Sequence, residues 1–299
     1  MPSRCAAVDD LQRYLEQQAA LGTRRVLLSG PASGIVGSQA PSRPDGLPGD
    51  VVAASPEREA PRPPPSPPRA TALPPSPVAP ELDAAQPKWK KDAPAVYPAG
   101  LAVRSPSPGL LDGELDALPS LESLAGHIAA CRRCALCEGR TNTVPGEGNP
   151  RARLLLIGEG PGENEDRQGR PFIGKAGELL TDILKAIDLP RETIFIANVV
   201  KCRPPQNRKP LPIEAASCLP YLRRQIALLA PDVLLALGST AAEALLGLKS
   251  PLGELRGKVH TLDGRPLVVT YHPAALLRNP NWKKPTWDDV RVVRQLLDG

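Results

Sequence analysis

The sequence predicts an α/β fold, three layers (αβα) around a mostly parallel central sheet, preceded by a long segment that does not fold. Two observations predict it. From residue 121 onward, short apolar runs such as Leu154-Leu-Leu-Ile157 and Val233-Leu-Leu-Ala-Leu237 alternate with stretches of helical periodicity. Strands buried on both faces read as continuous apolar runs, and strands alternating with helices give a parallel sheet. Proline is also unevenly spread: 22 of the 38 prolines fall in residues 1–120. A tract such as Pro61-Arg-Pro-Pro-Pro-Ser-Pro-Pro68 lacks amide donors and has its φ angles fixed, so it samples polyproline II rather than helix or sheet.

Three regions follow. In residues 1–31, Leu11, Tyr14, Leu15, Ala19, Ala20 and Leu21 suit a short amphipathic helix over Asp9–Leu28, too short to be stable alone. Residues 32–119 read as a Pro/Ala-rich disordered linker, with little apolar surface to offset the entropy of ordering. On this reading, deleting Met1–Leu118 leaves the working domain intact. Residues 120–299 form that domain and can bury an ordinary core. Its first helix, Leu121–Ala130, leads into a cysteine cluster. The strand Arg153–Gly158 ends in a glycine-rich loop. Helix Ala176–Ile187, strand Thr193–Asn198 and helix Ile213–Leu229 come next. Strand Val233–Leu237 is followed by helix Thr240–Leu246. Two strands, Lys258–Leu262 and Leu267–Thr270, flank the turn Asp263-Gly264, and helix Trp287–Leu297 closes the chain. Ligands of such sheets sit outside the carboxyl ends of the strands, so the loops at Gly158, Asn198 and His272 are expected to converge.

The net charge of +5 permits a nucleic-acid partner without demanding one. No apolar run has membrane-spanning length, and the first residues do not resemble a signal peptide. The expected setting is cytoplasmic and reducing, where cysteines serve metals or catalysis. Cys131 and Cys134 form a C-x-x-C pair; Cys202 and Cys218 follow at wider spacing. Four thiolates suit zinc or an iron–sulfur cluster, and spacing alone does not choose. Cys137 is a bystander or a replacement for Cys134, and Cys5 is unassigned.

The loop Gly158-Glu-Gly-Pro-Gly-Glu-Asn-Glu-Asp166 is neither a P-loop nor a dinucleotide fingerprint. Its four acidic residues argue against a phosphate cradle and suit developing positive charge or an oriented water. Asn198 ends a strand. Its amide offers one donor and one acceptor, which match the O4/N3–H edge of uracil and mismatch cytosine, although an asparagine there also serves as a turn residue. His272 follows a strand within Tyr271-His-Pro-Ala-Ala-Leu-Leu-Arg278, where a lone histidine is more often structural.

Taken together, these motifs resemble the family 4 uracil-DNA glycosylases of the wider uracil-DNA glycosylase superfamily, over roughly Leu121–Leu297. The resemblance rests on the four-cysteine spacing, Gly-Glu-Gly-Pro-Gly-Glu with Pro-Phe-Ile-Gly, Asn-Val-Val-Lys-Cys-Arg-Pro-Pro, and Tyr-His-Pro. It implies a uracil-DNA glycosylase-like fold and a monofunctional enzyme that flips out uracil and leaves an abasic site. It implies a [4Fe–4S] cluster on Cys131, Cys134, Cys202 and Cys218. Phe172 would stack on the base, Asn198 would read its edge and His272 would face O2. Glu159 would orient water or balance the cationic sugar, beside Gly160, where relatives differ. Glu165 would exclude the thymine methyl. Leu276, Leu277 and Arg278 would form a loop wedged into the DNA. A related branch traps DNA through a histidine in an inserted stretch; Arg203-Pro-Pro-Gln-Asn-Arg-Lys-Pro210 has no histidine. Lys201 is the nearest amine for a lyase step. The implied partner is uracil-containing DNA, bound by a monomer, with the N-terminal segment available to a repair or replication protein.

Overall fold

The structure, a computed structural model, describes residues 87–105 and 113–299. The helix expected at Asp9–Leu28 lies outside them. Strand β1 is Ala99–Val103. Helix α1, Leu121–Ala129, starts at Ser120, whose side chain accepts the amide of Ser123 while Ser123 returns the bond. Strands β2 (Glu147–Gly148) and β3 (Leu154–Gly158) are followed by α2 (Glu163–Gln168) and α3 (Lys175–Ala186). Then come β4 (Phe195–Asn198), α4 (Pro212–Leu229), β5 (Val233–Leu237) and α5 (Ser239–Leu246). The hairpin β6 (Val259–Leu262) and β7 (Arg265–Thr270) precedes α6 (Pro273–Arg278) and α7 (Lys283–Asp298). Asp263 and Gly264 both have positive φ at the hairpin turn, the conformation that matches strand twist in a two-residue loop.

The seven strands among the described residues form one sheet in the order β1-β6-β7-β5-β3-β4-β2. Its centre, β7-β5-β3-β4, is parallel. The antiparallel pairs are β6 with β7 and β2 with β4. Alternation along the strands sorts the core onto two faces. Leu155, Ile157, Leu234 and Ala236 pack with α4 and α5 residues such as Leu222, Ile226 and Leu245. Leu154, Leu156, Val233 and Leu235 pack with Leu180, Leu184, Val290 and Val293 of α3 and α7. The expected three-layer arrangement is the one observed. Among the described residues, no helix is long and apolar enough to cross a membrane.

The N-terminal border differs from the expectation. Residues 87–105, read as linker, pack on the domain: Trp89 is buried with the α7 face of the core, and β1 pairs in parallel with β6. The local proline content hid this, because the partners that order the stretch lie far along the chain. A deletion through Leu118 removes a core tryptophan and a strand.

Candidate active site

The carboxyl ends of the parallel strands are level. Gly158 of β3 pairs with Asn198 of β4, and Leu237 of β5 pairs with Thr270 of β7, two residues before His272. A cleft of about 770 Å³ opens there. Of the expected pocket residues, Glu159, Gly160, Glu165, Phe172, Asn198 and His272 all line it, and so does Arg278.

Asn198 is 1% exposed, and its Oδ1 has no hydrogen-bond partner. Gly158 lets it sit there: a Cβ at that position would lie 2.4 Å from Asn198 Oδ1 and 2.5 Å from the Phe172 ring. Phe172 itself has φ of 52°, a left-handed conformation unusual for a large side chain. Its carbonyl accepts from Arg191 Nη1 at 2.7 Å, and a Cβ on Gly177 would collide with that carbonyl. The Phe172 and His272 rings are 5.5 Å apart. His272 Nδ1 accepts the amide of Ala274 at 3.2 Å, so the neutral ring carries its proton on Nε2. Burial, with the nearby charge of Arg278, pushes the imidazole down to about 4. It is therefore a neutral donor at physiological pH.

Two glutamates of the acidic loop have different tasks. Glu159 accepts from the Thr240 hydroxyl. Glu165 accepts three backbone amides: Gly162 at 3.1 Å, Ile173 at 2.9 Å and Gly174 at 3.0 Å. It thus clamps the glycine loop to the Phe172 loop. A Cβ on Gly160 would meet Val200 at 2.7 Å, so this position is kept bare.

Behind the β4 exit, Cys131, Cys134, Cys137, Cys202 and Cys218 line one small cavity. All five thiols are free. Arg140 Nη1 donates to Cys202 Sγ at 3.2 Å and the Lys201 amide to Cys218 Sγ at 3.3 Å. Burial raises the thiol pKa of Cys134, Cys202 and Cys218, the last to about 12; a bound cation reverses such a shift. Among the described residues, no three His, Cys, Asp or Glu side chains converge on a single-ion site. The thiols surround a space instead, and as a set of soft donors they fit a cluster with one cysteine per iron.

The uracil DNA glycosylase superfamily matches residues 145–294. A type-4 uracil-DNA glycosylase of Sulfurisphaera tokodaii is 44% identical over 188 residues, 60% of this chain and 86% of that protein. The Thermotoga maritima type-4 uracil-DNA glycosylase is 46% identical over 161 residues, 53% of this chain and 84% of the relative. A type-5 enzyme of Thermus thermophilus is 37% identical over 150 residues, 43% of this chain and 68% of the relative. This chain belongs to the uracil-DNA glycosylase superfamily, with the type-4 proteins.

One part of the family-based expectation needs correction. Leu276, Leu277 and Arg278 are not a loop: they end α6, which His272 caps and Pro273 opens. Proline at the first helical position has no amide to lose and its φ suits the turn, so the His-Pro pair starts a helix. Leu276 is 1% exposed and cannot reach DNA in this conformation; Leu277 is 48% exposed, and Arg278 is exposed at the cleft rim. Lys201, the nearest amine expected for a lyase step, lies in the core. It is buried, and its ammonium donates to the Asn198 carbonyl at 2.7 Å and to Gln225 Oε1 at 2.6 Å. Burial lowers its pKa to about 8. The basic residues after Cys202 are paired: Arg208 with Glu214, Lys209 with Glu243, and Arg203 with Asn207 and Glu163. In this superfamily site, sequence reasoning missed Arg191, Thr240 and Trp282. No local signal marks the first two. Trp282 could have been found as one of three tryptophans in the chain.

Proposed function

We propose that this chain excises uracil from DNA as a hydrolase of N-glycosyl bonds and so starts base-excision repair. One observation carries the reading: the unpaired Oδ1 of Asn198 at the end of the cleft. A buried acceptor without a donor costs about 1–3 kcal/mol. The N3–H of uracil would satisfy it while the amide NH₂ donates to O4. Cytosine presents an acceptor at N3 and a donor at C4, so it would set like against like. The names of the curated relatives support the same substrate.

The nucleotide leaves the stack at a cost of a few kcal/mol, which is lower for a mispaired base. Phe172 stacks on its ring. Water adds to C1′ as the C1′–N1 bond breaks, uracil departs as an anion with charge on O2, and the proton that the water gives up finally neutralises that anion. The Nε2–H of neutral His272 donates to that oxygen. One such donor is worth roughly 3–4 kcal/mol in a site of this kind. Glu159, held by Thr240, balances the cationic sugar and orients the water. Glu165, immobilised by its three amides, stands as a fixed wall against a C5 methyl. Leu277 and Arg278 meet the DNA at the rim.

The reaction is monofunctional on this reading, because among the described residues no lysine lines the cleft and the nearby Lys201 is spent on the Asn198 carbonyl and Gln225. Cys131, Cys134, Cys202 and Cys218 would hold a [4Fe–4S] cluster, with Cys137 a bystander. When bound, the group supplies a crosslink between the α1 end, the β4 exit and α4. The setting is a reducing cytoplasm and the enzyme a monomer.

The test is uracil release from a labelled U:G duplex by wild type, Asn198→Ala and His272→Ala. Release that falls at least about 100-fold in both variants is expected. A cluster-loaded wild type that binds the duplex and releases nothing would reduce the chain to a recruitment protein. Borohydride trapping of an enzyme–DNA adduct would overturn the monofunctional assignment.

A further inference from the structure

Residues 87–105 precede the region matched by the superfamily, and they form an arm along α7 and β6. Most of its contacts only dock it. Trp89 enters the core beside Val290, Val293 and Leu297. Arg291 donates to the Lys91 and Asp92 carbonyls at 3.0 and 2.9 Å, Gln295 donates to Pro94, and the Leu101 amide donates to His260 Nδ1. One contact goes further. The Tyr97 hydroxyl donates to Asp289 Oδ1 at 3.0 Å.

Asp289 is fully buried on α7. Its other donors, Thr270 and Arg256, adjoin Tyr271 in the wall of the cleft. Thr270, the last residue of β7 and two before His272, donates to Oδ2 at 2.5 Å. Arg256 donates to the same oxygen through Nε at 2.9 Å and Nη2 at 2.7 Å. The Arg256 guanidinium lies 4.5 Å over the Tyr271 ring. Tyr271 stacks on Trp282 at 4.6 Å with the rings 1° from parallel, and both line the cleft. A carboxylate without solvent needs all its donors, because each unmade bond leaves a charge uncompensated. If the Tyr97 hydroxyl is removed, Oδ1 loses its bond while Oδ2 keeps Thr270 and Arg256, so the carboxylate re-aims about those two groups, which adjoin Tyr271 and His272.

We propose that one residue of the arm serves the pocket: Tyr97, acting through Asp289, is a positioning residue that sets the exit of β7 and with it the His272 ring. The inference rests on the glycosylase reading above. Displacement of a catalytic donor by a fraction of an ångström costs turnover more than binding.

The test uses the full chain with Tyr97→Phe, and Trp89→Leu as a variant that loosens docking only. Uracil release and amide exchange are measured at 25 °C, well below melting. Tyr97→Phe is expected to lower kcat about fivefold, the size of one net hydrogen bond, with KM within about twofold. It should also speed exchange over residues 270–276 while α4 stays protected. Trp89→Leu should lower the melting temperature and leave kcat unchanged. A Tyr97→Phe chain with wild-type kcat and unchanged exchange at 270–276 overturns the inference, as does one that copies Trp89→Leu. Absence of uracil release by the unaltered chain would sink the glycosylase reading instead, and the exchange pattern alone would still decide whether Tyr97 positions the His272 turn.

Discussion

The cleft and the thiol cavity lie on either side of the β4 exit and treat buried polar atoms in opposite ways. In the thiol cavity the protein supplies donors to the acceptors it buries: Arg140 to Cys202 and the Lys201 amide to Cys218. In the cleft it withholds them: Asn198 Oδ1 has no donor, and His272 keeps its Nε2 proton because Nδ1 takes the Ala274 amide. A buried polar atom left unpaired destabilises the fold; of the five such atoms among the described residues, Asn198 Oδ1 is the one whose residue lines the cleft, where a ligand can reach it. The cleft thus leaves an acceptor open to a ligand, whereas two sulfurs of the thiol cavity already take donors from the chain. Lys201 joins them, its amide on Cys218 and its ammonium on the Asn198 carbonyl.

The largest expected effect breaks the cleft and spares the cavity. Gly158→Ala places a methyl group within 2.5 Å of both Asn198 Oδ1 and the Phe172 ring. Both side chains must leave the positions from which, on the proposed reading, they would read and stack the base. Uracil release should fall at least about 100-fold, while overpacking costs only about 1–3 kcal/mol of stability. Single-turnover release measured beside a melting curve checks this. Activity within threefold of wild type would show that the close approach at Gly158 does not shape the pocket.

The converse experiment breaks the cavity. Cys202→Ser removes one of the thiols that would tie the α1 end to β4 and α4 through a cluster. If a cluster crosslinks these segments, the melting temperature should fall by about 10 °C, the consequence of losing several kcal/mol in a domain of this size. Iron and sulfide content should fall with it. A colourless, iron-free wild type of unchanged stability would make the thiols bystanders.

A smaller effect concerns pH. The unfolded His272 titrates near 6.5, and the folded ring near 4. The folded pKa is the lower one, so its contribution to stability is present above 6.5 and lost as pH falls through about 4. The donor form persists through that window. The rate of uracil release should therefore show no inflection between about pH 5 and 7 from this residue. A break near 6.5 that vanishes in His272→Gln would mean that the imidazole titrates normally and is not desolvated.

Much of the fold and most of the pocket could be read from sequence, because both depend on local chemistry. The apolar runs of β3 and β5 are buried end to end, and the strand-end positions of Asn198 and His272 converge as parallel-sheet logic demands. What could not be read is pairing at a distance. Arg191 holds the Phe172 carbonyl, Thr240 holds Glu159 across 81 residues, and Tyr97 meets Asp289 across 192. A sequence displays donors and acceptors without saying which meet. The arm was hidden for the same reason: Trp89 and Tyr97 carry little meaning until α7 is folded beneath them.

The smallest expected effect separates two neighbouring leucines that the sequence placed together in a wedge. Leu276 is buried inside α6, and Leu277, one residue on, is 48% exposed. Helical geometry forces this difference, since successive positions point about 100° apart and only one can face α3. Leu276→Ala should cost about 2–5 kcal/mol of stability with little direct effect on DNA affinity. Leu277→Ala should leave the melting temperature unchanged and weaken duplex binding only about threefold to tenfold, as one apolar side chain at an interface does. Paired measurements of melting and of binding to an abasic duplex decide it. If Leu276→Ala is the variant that loses binding at unchanged stability, α6 must unwind on DNA, and the wedge would then be a conformation reached only in the complex.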